Sequence, residues 1–242
     1  MISSEQGAPD NSADIYPWLA YIVVYVPGLV CQKCLGVLVS QDWVATDKSC
    51  YDVMTQNSVT NIYFYYDDVL QRQIYNYTRL SAGDGITRIK YLQINYIGTD
   101  AQIPLTPLPV NCADINPTSA DVIYWTQYGL SSRTLTRQTV QLRDKDNCAV
   151  VMSQNTNWQL SGIFVLCPDG AADNDFFAAN MAWFEGAPLV SEDASGNLEY
   201  IGMGMNDIAV AGGADQGNWS LFADVAKAMP SVGAQLGIPC AA

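Results

Sequence analysis

An all-β fold, a barrel or sandwich of short strands, is the class this sequence predicts. Short β-branched and aromatic runs recur along its 242 residues. Turn-forming clusters separate them, and only one segment, near the C-terminal end, has helical spacing. In chain order, Trp18–Val26 reads as the first strand. Leu35–Val39 and Trp43–Thr46 flank Ser40-Gln41-Asp42, which reads as a hairpin. Asn61–Tyr66 is an aromatic-rich strand, Ile86–Ile97 and Leu135–Leu142 alternate, and Gly162–Cys167 and Pro188–Val190 are shorter. Glu192–Asn197 forms a turn cluster before a strand over Leu198–Met205. A helix is expected over 220–237, with Ser220 as its cap and Leu221, Val225, Ala228 and Met229 on one face; Pro230 should end or kink it. The stretch Pro104–Pro109, followed by Asn116-Pro117, reads as a connector between two halves. Residues 1–13 are polar with no hydrophobic stretch; they are expected to be a flexible N-terminal segment and are not a signal peptide.

Composition excludes several classes of function. Charged residues are 14% of the chain, against about 25% in an ordinary soluble domain. The net charge of −13 argues against binding nucleic acid, which needs an excess of Lys and Arg. Trp18–Val26, the longest apolar run, is shorter than the roughly 18 residues of a membrane span. There is no histidine. Every mechanism that uses imidazole as base, metal ligand or pH switch is therefore absent. No cofactor or metal is expected. Asp67-Asp68 has no evident partner carboxylate for calcium, and Asp169, Asp173 and Asp175 read as solvated loop charge.

Seven cysteines, at positions 31, 34, 50, 112, 148, 167 and 240, are dispersed rather than clustered. Together with Asn-X-Ser/Thr acceptor sites at Asn76 and Asn218, they predict a secreted, disulfide-bonded glycoprotein. The count is odd, so one thiol is left free or bonds another chain. Cys31-Gln32-Lys33-Cys34 matches C-x-x-C, but a redox role needs a helix N-terminus, and this stretch lies between strands. The tyrosines at 63, 65, 66, 75, 77, 91 and 96, with Phe64, make the first half aromatic-dense; alternation along strands would bury half of these rings and leave half for a recognition surface.

Three segments resemble the trypsin-like serine protease family. Pro17-Trp18, then Cys34-Leu35-Gly36-Val37-Leu38-Val39-Ser40 and Trp43-Val44-Ala45-Thr46-Asp47-Lys48-Ser49-Cys50, is similar to the family's C-G-G-S-L-I and W-V-L-T-A-A-H-C. Asp100-Ala101-Gln102-Ile103-Pro104-Leu105 is similar to D-I-A-L-L. Trp183-Phe184-Glu185-Gly186-Ala187-Pro188-Leu189-Val190 stands where the family has G-D-S-G-G-P-L-V. The resemblance runs over roughly residues 14–237 and implies two antiparallel six-stranded β-barrels with a C-terminal helix. The single domain would span 14–242, with a first barrel over 14–115, a second over 116–219 and the helix after it.

Carried over residue by residue, the resemblance implies loss of catalysis. Ser49 stands at the histidine position and Glu185 at the nucleophile position; only the triad aspartate is retained, as Asp100. A hydroxyl cannot replace imidazole as a base near neutral pH. Phe184 replaces the aspartate that pairs with the activated N-terminus, and Ala13-Asp14-Ile15-Tyr16 offers no such start. Trp183 replaces the oxyanion-hole glycine, Ala179 falls near the pocket floor, Met181 takes a cysteine position, and the substrate strand falls near Met203-Gly204-Met205. The resemblance also implies bridges Cys34–Cys50 and Cys148–Cys167. It leaves Cys31, Cys112 and Cys240 unassigned, with Cys112 and Cys240 free to pair with each other or one of them with Cys31.

The function expected is that of a secreted, non-catalytic protease homologue that binds another extracellular protein, as a decoy or as a disulfide-linked subunit or scaffold. The alternative is an abundant extracellular structural or storage component. A third reading, hydrolysis by Glu185, Asp100 and Asp47 alone, is opposed by neutralisation of such a cluster by Lys48 or solvent.

Overall fold

Six antiparallel strands close on themselves in the first half of the chain: β1 (Leu19–Tyr25), β2 (Gln32–Ser40), β3 (Trp43–Asp47), β4 (Val59–Tyr66), β5 (Gln71–Ser81) and β6 (Ile89–Tyr96). Their order around the barrel is β1-β2-β3-β6-β5-β4, with β4 returning to pair β1. The computed structural model describes residues 16–25, 32–57, 59–66, 71–81, 88–99, 101–128, 132–154, 165–169, 181–183, 185–210, 217–238 and 240–241. Residues 1–13, with Cys31, Asp67, Asp68, Asp100, Asp173, Asp175, Ala179 and Phe184, lie outside them.

The runs that read as strands do so because both of their faces are covered. Every residue of β3 is buried, and so is β1 from Leu19 to Val24. Strands buried on both sides lose the alternation of a half-exposed sheet. The same effect shows in the aromatic run. Tyr63 and Phe64 point to opposite faces of β4, yet both are buried, as are Tyr75 and Tyr91. Among the described side chains of these strands, Tyr25 is the exposed tyrosine, at 41%.

The second half forms a nine-stranded sheet. It comprises β7 (Val110–Asn111), β8 (Ser119–Tyr128), β9 (Ser132–Gln141), β10 (Val165–Leu166), β11 (Met181–Trp183), β12 (Pro188–Glu192), β13 (Leu198–Val210), β14 (Gly217–Asp224) and β15 (Cys240–Ala241). The path runs β10-β14-β13-β12-β8-β11, with β9 on the other edge of β8 and with β7 joining β13 to β15. Where two closed barrels are expected, only the first is closed. Between β9 and β10 the ladder shrinks to one bridge, Leu142 to Pro168, flanked by Arg143 N donating to Cys167 O (2.9 Å) and Asp169 N to Gln141 O (2.8 Å). β10 has two residues and β9 has ten, so there is little strand to pair.

Helices depart most from expectation. α1 (Lys48–Asn57) and α2 (Lys145–Gln154) fall where the sequence shows no apolar stripe. The C-terminal helix α3 spans Val225–Leu236, not 220–237. Ser220 belongs to β14 opposite Asp207, and the cap is Asp224, whose carboxylate accepts from Ala226 N. Pro230 lies within α3 without ending it. Its lost hydrogen bond is offset by the buried face of Val225, Ala228, Met229 and Val232. No helix among the described residues is long and apolar enough to cross a membrane.

Three disulfides staple the fold: Cys34–Cys50, Cys148–Cys167 and Cys112–Cys240. The first ties β2 to α1, the second ties α2 to the end of β10, and the third ties the connector to β15. Beside the third, Lys145 Nζ donates to Asp114 (2.7 Å) and to the buried Asp224 (2.6 Å), while Lys227 also reaches Asp114. Hydrogen bonds from Lys145 and Lys227 draw the Asp114 carboxyl down from 3.8 to about 2. Its folded value is therefore below its unfolded one. The contribution is complete above pH 4 or so and fades as pH falls towards 2. Asp114→Asn should lower Tm at neutral pH and flatten the acid limb of a Tm-against-pH curve, the variant and the parent converging as pH falls towards 2. An unaltered acid limb would refute this.

Candidate functional site

The first and third resembling segments meet where the two halves touch. Thr46 and Asp47 end β3, and α1 starts at once, so Ser49 lies in its first turn. Asp47 caps that helix. Its Oδ2 accepts from Ser49 N (2.8 Å) and from Ser49 Oγ (2.6 Å). The same oxygen accepts from Arg88 Nη2 at 3.1 Å. Asp47 is fully buried and Ser49 half-buried. Arg88, not Lys48, neutralises Asp47; Lys48 pairs with Asp52 one helical turn on.

From the other half, the turn before β12 delivers Glu185 and Gly186. Glu185 O accepts from Leu35 N (2.9 Å), the residue after the bridged Cys34. Thr46 Oγ1 donates to Leu35 O at 2.8 Å. Gly186 sits over that carbonyl at φ +83°, in the left-handed region that favours glycine. Ser49 is joined to this neighbourhood through Cys50 and its bridge to Cys34.

The Ser49 hydroxyl donates into a helix cap whose accepting oxygen is shared with an amide and a guanidinium. Met203-Gly204-Met205 lies in β13, but Gly204 O accepts from Gly186 N (2.9 Å) and Gly204 N donates to Ala187 O (2.7 Å). The backbone of the expected substrate strand is therefore spent internally at its middle residue. Met181 and Trp183 lie in β11, paired with Thr126 and Trp125 of β8.

Other sequence expectations fall as follows. Cys34 lies in strand β2 and is bonded to Cys50, so the C-x-x-C pair is no dithiol. Asn76 is mid-strand in β5 opposite Asn95 and half-buried, its Oδ1 enclosed, a poor position for a glycan. Asn218 lies in β14 opposite Ala209. Asp169 pairs with Arg143 at 3.5 Å.

Sequence reasoning misses Arg88, Thr46 and Tyr200, which hold or adjoin this seam. The Asp47 cap could not be read because α1 has no apolar stripe to announce it, and Arg88 could not because it is 41 residues from its partner. Compared with known proteins, the chain matches no family model, and no curated protein matches it.

Proposed function

We propose that this chain is a secreted, non-catalytic homologue of the trypsin-like serine proteases that works by binding another extracellular protein. The fold half of this reading rests on strand order. The first barrel runs β1-β2-β3-β6-β5-β4. Taking the Leu142–Pro168 bridge as its closing contact, the second sheet traces β8-β9-β10-β14-β13-β12, the same order repeated. Two barrels of one plan account for that repetition.

The observation that carries the non-catalytic half is the state of the two key positions. Ser49 is consumed in capping α1 against an Arg88-paired carboxylate, and the Glu185 turn is used to clasp β2. The three disulfides fit an oxidising compartment. They use six of the seven cysteines and leave Cys31 without a cysteine of its own chain. Cys31 is then the point for a covalent bond to a partner.

The test is protein from its native source on non-reducing and reducing gels, with disulfide mapping, beside a Cys31→Ser variant. A heavier non-reduced species that maps to Cys31 and disappears in the variant is expected. A monomer whose Cys31 is free thiol would overturn the covalent arm. Hydrolysis of peptide or ester substrates above background, lost in Glu185→Gln or Ser49→Ala, would overturn the non-catalytic arm.

A further inference from the structure

The seam between the halves contains a buried polar cluster that the site above does not account for. Asp47 and Tyr91 lie on one face of the barrel sheet, because Ala45 pairs with Tyr91 and Asp47 with Ile89 on adjoining strands. They are diagonal neighbours, close enough for a tyrosine to reach. Tyr200 of β13 comes from the other half, and β13 packs against β3. All three side chains are buried, at 0%, 1% and 1% exposure. Burial drives the Tyr200 phenol well above its usual value, reinforced by Tyr91 and by the charge of Asp47. The hydroxyl is thus a neutral donor and acceptor at any physiological pH.

Three enclosed atoms of this cluster have no hydrogen-bond partner among the described residues: Asp47 Oδ1, Arg88 Nε and Tyr200 Oη. One is an acceptor only, one a donor only, and the third can be either. Leaving such atoms dry costs more than a typical hydrogen bond contributes. A cation does not suit the set, since Arg88 already neutralises Asp47 and its Nε–H would face the ion. An apolar filler leaves all three unpaired. A water molecule has two donors and two acceptor sites, and it can donate to Asp47 Oδ1, accept from Arg88 Nε and join Tyr200 Oη. Three partners is the usual coordination of a buried water.

We propose that an ordered water bound by Asp47, Arg88 and Tyr200 bridges the barrel to the second sheet, so that the seam is latched by a shared polar centre. This stands apart from the functional reading; it concerns how the halves are held, whatever they bind. Asp47 then serves both ends of the junction, with Oδ2 on α1 and Oδ1 on the bridge to β13.

The deciding experiment is a high-resolution crystal structure of the full chain together with Tyr200→Phe. The expected result is a density peak within hydrogen-bond distance of Asp47 Oδ1 and Tyr200 Oη. In the variant, the peak should contact Asp47 and Arg88 only, and Tm should fall by roughly 3–6 °C. Direct bonding of the Tyr200 hydroxyl to a protein group, with no density between, overturns the proposal. A Tyr200→Phe variant with unchanged or higher Tm does so as well, because it shows that the hydroxyl has no partner to lose.

Discussion

Gly186→Ala is expected to abolish folding or to lower Tm by roughly 10 °C or more. A Cβ built at Gly186 would lie 1.9 Å from Leu35 O and 2.7 Å from Leu35 C. Those are backbone atoms of β2, and they cannot swing aside as a flexible side chain can. Leu35 O is held by Thr46 Oγ1, and Leu35 N donates to Glu185 O, so relief of the clash means parting the halves at their clasp. The φ of +83° adds about 1 kcal/mol of strain for any L residue. A control separates the two terms. Gly196 has φ +81°, but nothing lies within 4 Å of its added Cβ. Gly196→Ala should therefore carry the strain alone, a fall of a few degrees. Thermal unfolding of both variants by circular dichroism gives the comparison. Equal losses would show that the clasp at Leu35 is not what makes glycine necessary at 186.

Removing the Cys112–Cys240 bridge, as the double Cys112→Ser/Cys240→Ser variant, should destabilise the protein more than removing either of the others. Its cysteines are 128 residues apart, against 16 for Cys34–Cys50 and 19 for Cys148–Cys167. A cross-link restrains the unfolded chain more as its loop lengthens, which gives about 5 kcal/mol for the long loop and about 3 for each short one. The contacts it secures add to this. Among the described residues β15 pairs only with β7, by two residue pairs, so the bridge helps to keep it docked. Urea unfolding of the three double variants provides the ranking. A smaller midpoint shift for Cys112/Cys240 than for the short loops would show that native contacts outweigh chain entropy here.

Much of the fold was legible, for reasons visible in single elements. The hairpin at Ser40–Asp42 could be read because Leu35–Val39 and Trp43–Ala45 on either side are apolar runs, and β2 and β3 pair across it from Gly36–Thr46 to Ser40–Trp43. β5 was missed because Gln71–Ser81 is mostly polar and reads as loop, although it pairs on both sides in the barrel. β8 was missed although it is the strand on which β9, β11 and β12 all pair. α1 and α2 lack an apolar stripe because local caps and disulfides hold them: Asp47 and Cys50 for the first, Cys148 for the second. Asp144 accepts from the amides of Asp146 and Asn147 at the start of α2.

At the site, the sequence discloses which residue types are present, and that histidine is not among them. It does not disclose what the remaining groups do. That Ser49 points into a cap, that Asp47 is neutralised from Arg88, and that Gly204 has no free backbone group all depend on contacts between distant stretches. Such pairings carry no periodicity and leave no local motif.

The link from Cys112 to Cys240 also orders events during synthesis. The barrel strands end at Tyr96, so the first half can close in the nascent chain as soon as its strands are free. The second half cannot be sealed until residue 240 exists, a further 128 residues, or roughly 6 to 25 seconds at ordinary translation rates of about 5–20 residues per second. For that interval Cys112 is without its native partner, behind a barrel that contains the paired Cys34 and Cys50 and ahead of Cys148. Native pairing of Cys112 therefore waits on the synthesis of residue 240.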